Sequence, residues 1–189
     1  MQIVRHDAGV EALRKTPNLF VLIERPEDNS GLDLVDLDFK ETAYLAIKRL
    51  VDLGHKVIGC LDLAVQDHAG DLGYAFYMQQ RFEMAQRNFD MSLVRRIVGR
   101  GNQDSYEATE TLISCESKLS PIVVLFGSTY SGVLRAIHGS GNRVPNDFAV
   151  ICLESSTAAN CMMPSLSTID CQLADIGRIA AKPLLERIE

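Results

Sequence analysis

At 189 residues, with 47% hydrophobic and 23% charged side chains, the chain has the composition of a folded domain, which argues against both disorder and membrane embedding. Its length suits one large domain or two small lobes. A net charge of −6 and the lack of any basic block exclude an evident phosphate-binding surface, so a DNA contact would have to lie elsewhere.

The opening residues contain no apolar core of signal-peptide length, and no run approaches the roughly 18 apolar residues of a membrane span. Cys60, Cys115, Cys152, Cys161 and Cys171 form no CxxC pair and are odd in number, which fits reduced thiols in a cytoplasmic protein.

Residues 19–23 are a continuous apolar run closed by Glu24, Arg25 and Pro26, and predict a buried parallel strand. Residues 27–31 form a polar turn, and residues 32–37 suit a short strand. Asp38 then caps a helix, with Glu41 three residues on as in a capping box. Ala43, Ala46, Ile47, Leu50 and Leu53 form one stripe at helical spacing, and Gly54 ends the helix.

Residues 55–61 predict a strand, followed by a polar loop over 62–70 and a helix over 72–87. A strand over 93–98 precedes a helix opened by Asp104, with Glu107 three on, that runs to about Cys115. Residues 121–126 predict a strand, after which Ser128 or Thr129 caps a helix through Val133, Leu134, Ala136 and Ile137, ending near Gly139. A turn at 144–147, a strand over 148–153 and a helix over 173–188 complete the chain. Pro183 lies inside that last helix, where a proline costs about 3 kcal/mol and predicts a kink or break.

The β-α-β-α-β-α-β order over 55–154 implies an α/β fold with a parallel sheet and helices on both faces. Ligands of such sheets bind beyond the carboxyl ends of the strands. The loops expected there are 62–70, 99–103, 127–130 and 154–157.

Three segments carry a resemblance: DFKETAYLAIKRLVDLGHKVIGCLD from Asp38, LRAIHGSGNRVPNDFAVICL from Leu134, and PSLSTIDCQLADIGRIAAKPLLERI from Pro164. In this order and spacing they resemble the effector domain of LacI/GalR-family transcriptional regulators. The resemblance implies a two-lobed, periplasmic-binding-protein-like fold. It gives a partial first lobe at 1–54, a second lobe at 55–168 and a return helix at 169–189, with the first lobe incomplete. It also implies a small-molecule effector between the lobes, usually a sugar or nucleobase, and a homodimer in the full-length protein. DNA would be met only through an N-terminal headpiece not contained in this chain. The chain alone is therefore expected neither to bind operator DNA nor to hold effector tightly.

The pocket positions depart from the family's usual residues. Gly70 stands where the family places arginine, Arg100 where an aromatic is common, and Ser128-Thr129 where Asn-Asp is usual. Glu154 keeps the acidic position, followed by Ser155. Glu154 suits acceptance of ligand hydroxyls, or is a solvated carboxylate at a strand end. Ser128 and Thr129 bond a ligand or simply cap a helix. Asp67 and His68 line the cleft, or belong to a surface loop. Arg100 reaches an anionic group, or faces solvent.

His55 at the crossover and His138 near a helix end read as structural. HExxH, Cys/His metal spacing, GxSxG, P-loop and GxGxxG patterns are all missing, so no metal, cofactor or catalysis is expected. The competing readings are a solute receptor of a transporter, which needs an export signal, and an α/β enzyme using His68 and Asp67.

Overall fold

The computed structural model describes residues 3–63, 73–99 and 101–188. The larger lobe is a five-stranded, all-parallel sheet in the order β4-β3-β5-β6-β7. Its strands are β3 (Val57–Leu63), β4 (Ser92–Val98), β5 (Pro121–Val124), β6 (Ala149–Leu153) and β7 (Ser167–Ile169).

Side-chain alternation along these strands separates two cores. Ile58, Cys60, Val123, Leu125 and Ile151 pack under helices α2 (Phe39–Asp52) and α3 (Gly73–Asn88), against Ala43, Ile47, Leu50, Met78 and Phe82. Leu61, Ile122, Val124, Val150 and Cys152 pack on the other face, against Leu112 of α4 (Asn102–Cys115) and Val133 and Ile137 of α5 (Tyr130–Gly139). The period of two within each strand places helices on both faces, as expected for a parallel sheet.

Local signals set several helix ends. The Asp38 carboxylate accepts the Glu41 N–H at 2.9 Å and so caps α2. At the other end Gly54 takes φ +90°, its N–H reaches the Val51 carbonyl at 2.8 Å, and His55 N–H reaches Leu50 at 3.1 Å. This pair of bonds is a Schellman motif, and the left-handed backbone is why glycine stands there.

The smaller lobe is a two-stranded parallel sheet, β1 (Leu22–Ile23) with β2 (Leu34–Val35). It is packed by α1 (Ala8–Arg14) and flanked by α7 (Leu173–Ile188). Ile3, Val10 and Leu22 form its core. Arg187 of α7 ion-pairs with Asp33 at 2.5 Å.

Several expectations change. Only Leu22 and Ile23 of the run 19–23 pair as a strand, and Leu19 and Ile23 stay half exposed because a two-stranded sheet buries little. Helix α1 and strand β7 escaped the sequence reading, and so did the five-residue helix α6 (Ser156–Asn160). Asp62 belongs to β3 rather than to a loop. Gly101, not Asp104, occupies the cap position of α4, and no side chain bonds there. Helix α7 runs unbroken through Pro183.

The lobe boundary expected at residue 54 would divide α2 from β3, which share one core. The chain instead leaves the small sheet after Val35 and enters α2 at Phe39, so the first connector is 36–38. The second is 170–172, between β7 and α7.

Candidate functional site

Both connectors border a hollow between the lobes of about 220 Å³. Ligand pockets commonly run about 300–1,000 Å³, so this one suits a compact molecule. Its base is the carboxyl edge of the large sheet, with Leu125, Phe126 and Gly127 after β5 and Leu153 ending β6. Glu24 and Asp36 stand at the carboxyl ends of β1 and β2 on the small-lobe side, and Leu173 and Ile176 of α7 close another wall. Strands β3 and β5 are sheet neighbours whose chain connections leave in opposite directions, and binding is favoured at such a switch point.

The acidic wall is strained and desolvated. Glu24 has φ +79° and Gln172, in the second connector, has φ +49°, the two positive-φ non-glycine residues among those described. Such backbone costs about 1–3 kcal/mol per residue and tends to cluster at ligand clamps and switch regions. Burial pushes the Glu24 carboxyl above its ordinary range; a bond from the Ile3 N–H to Oε2 at 2.8 Å pulls it back, and nearby Asp36 pushes it up again. Burial likewise raises Asp36, whose side chain is 6% exposed, against the pull of Arg25, whose Nε lies 3.1 Å away.

Glu154, half-buried after β6, has one carboxylate oxygen bonded by the Ser155 N–H at 2.8 Å. The rest of the carboxylate lies over Gly127, where a methyl group would overlap it. Glu154 also neighbours Cys171. The Cys171 thiol is pushed up to about 11, first by burial and then by the charges of Glu154 and Asp170, so it is a poor nucleophile.

The expected site residues divide accordingly. Glu154 lies against the hollow through Gly127 and Cys171, with Ser155 beside it. The Ser155 hydroxyl is engaged in capping α6, accepting the Ala158 N–H at 3.3 Å. Ser128 is exposed in the short 3₁₀ turn Gly127–Thr129, next to the lining. Thr129 is buried at 1% exposure, and its hydroxyl donates to the Phe126 carbonyl at 2.8 Å. It therefore neither points to a ligand nor caps α5 through its side chain. Asp67, His68 and Arg100 lie outside the described residues.

Glu24, Asp36 and Cys171 were missed. The rule that ligands sit at carboxyl strand ends, applied to the runs ending at Ile23 and Val35, points to the first two; nothing local marks Cys171.

The lobes also touch across the start of α3. The Arg5 guanidinium lies 4.1 Å from the Phe76 ring centroid and Arg25 lies 5.7 Å from that of Tyr77, which Lys40 of α2, within the large lobe, also approaches at 5.1 Å. Deeper in the large lobe, Asp62 pairs with Arg95 at 2.5 Å, with 7% of the Asp62 side chain exposed. Its Oδ1 has no partner among the described residues.

Two lobes, a hollow at the carboxyl edge of a parallel sheet and two connectors beside it define a periplasmic-binding-protein-like α/β domain. The chain belongs to the periplasmic binding protein-like domain family, whose match spans residues 35–189. It is 30% identical over 161 residues to the HTH-type transcriptional repressor PurR of Mannheimia succiniciproducens, covering 85% of this chain and 47% of that protein. The chain thus spans about half the length of the curated relatives it matches. In structure it is similar to a LacI family transcriptional regulator from Bifidobacterium animalis, with a TM-score of 0.86, 20% identity, and coverage of 99% of this chain and 68% of that one. It is also similar to a LacI family regulator from Enterococcus faecium with bound ribose, at a TM-score of 0.81, 23% identity, and coverage of 97% and 67%.

Proposed function

We propose that this chain is the effector-sensing part of a cytoplasmic, LacI-type transcriptional regulator, which closes two lobes on a small polar ligand, with a sugar the first class to test. The observation that carries the reading is the hollow itself, bounded by both lobes and by both connectors. A ligand that contacts both walls binds the closed arrangement better than the open one, and that differential affinity is the whole switch. In the full-length regulator a dimer would relay the change to a DNA-binding headpiece, and catalysis has no part in it. The repressor relatives support the regulatory class, and the ribose held by the Enterococcus faecium protein supports a sugar-sized ligand.

Calorimetric titration of the chain with pentoses and hexoses tests this. A saturable heat that disappears when Ile176→Trp fills the hollow is the expected result. Saturable binding unaltered by Ile176→Trp would contradict it.

A further inference from the structure

The charge around the hollow is one-sided. Glu24 and Asp36 line it, Glu154 lies behind Gly127, and no lysine or arginine is among the described lining residues. Arg25 pairs with Asp36 through Nε and, with Lys40 and Tyr77, lines an adjoining depression that shares Asp36, Leu37 and Phe39 with the hollow. The remaining walls are largely apolar, with Phe39, Leu125, Phe126, Leu173 and Ile176 offering rings and methyl groups.

Resting on the effector-site reading, we infer that the ligand is a small organic cation, an amine on a compact body with an apolar or CH-rich face, received by Glu24 and Asp36. Asp36 already has Arg25 as its cation, whereas half-buried Glu24 has no lysine, arginine or histidine partner among the described residues; covering it further is unfavourable without a cation, and an anionic ligand would add like charge. An ammonium is a compact three-donor cation that meets acceptor-only carboxylates directly. Oε2 of Glu24 already takes the Ile3 N–H, so Oε1 is the oxygen the ammonium meets. The body of the ligand rests on the apolar walls.

Two skeletons in three charge states separate this from the general reading: glucosamine, glucose and glucose 6-phosphate, and benzylamine, benzyl alcohol and benzoate. They are titrated into the ¹⁵N-labelled chain at about pH 6.5, where both amines are protonated. The amine of at least one skeleton is expected to bind about tenfold more tightly than its neutral partner, with the anion weakest. The shifts should fall on 125–127 and 171–176. In Glu24→Gln, which keeps an acceptor for the Ile3 N–H, the amine advantage should shrink to about twofold or less. Glu154→Gln is the second variant should the first fail to fold, and should reduce the advantage by a smaller factor. Tighter binding of the neutral or anionic partner at these residues, or an amine preference that survives both substitutions, overturns the cation class and leaves the effector site standing. If none of the six probes shifts these residues, both the cation class and the effector site are overturned.

Discussion

The two lobes differ in how much each buries. The larger has two cores on opposite faces of five strands, with Ile47, Leu50, Ile58, Phe82, Ile122 and Ile137 essentially inaccessible. Among the described residues, the core of the smaller is a cluster of Ile3, Val10 and Leu22 around two strands of two residues each. The proposed closure on a ligand needs one rigid wall and one that moves, and moving elements are drawn from the less stable parts of a fold. The large sheet supplies fixed strand ends at Gly127 and Leu153. The small lobe presents Glu24 and Asp36 on an element held by few contacts.

Three substitutions break or sharpen that contrast. The largest effect is expected from Arg95→Ala, which leaves Asp62 charged, buried and unpaired in the large lobe; such losses cost about 3–5 kcal/mol. Urea unfolding would show it as a lower midpoint for the whole chain, and a change under about 1 kcal/mol would mean that water already reaches the pair. Leu22→Ala removes a core side chain of the small lobe and should cost about 2 kcal/mol, at the low end for a buried leucine. Hydrogen exchange should quicken over 3–35 and stay unaltered over 57–63. Equal quickening in both would mean that the lobes unfold as one unit.

The smallest effect has the opposite sign. Glu24→Gln should slightly stabilise the unliganded chain at neutral pH, because binding sites are commonly held at some cost to stability. The folded carboxyl is raised, so its ionised form is penalised in the fold. That penalty is full above the folded value and gone below the unfolded one. The advantage of glutamine should therefore fade as the solution is acidified through that window, as followed by thermal unfolding against pH. An advantage that grows in acid would reverse the assignment.

The large lobe was the more legible in the sequence. Its strands are apolar runs bounded by turns, and α2 carries both of its end signals, Asp38 and Gly54. The small lobe was not, because two-residue strands carry no periodicity and Leu19 and Ile23 are apolar yet half exposed. Strand β7 is short, with two hydroxyl side chains in Ser167-Thr168-Ile169, and nothing but its pairing with β6 marks it. For the site, Glu154 was reachable from its strand end, whereas Glu24, Asp36 and Cys171 converge from segments far apart in the chain. Which of the two walls each would face is decided by the connectors, and the sequence points to a lobe boundary after residue 54 rather than to a connector at 36–38.

The most direct test is hydrogen–deuterium exchange of this chain with and without a saturating concentration of whichever of the six probes binds most tightly. Closure on the hollow predicts slower exchange at 36–38, 125–127 and 170–172 together, with the large sheet unchanged. Protection confined to one lobe, or absent from both connectors, would contradict a site made by the two lobes.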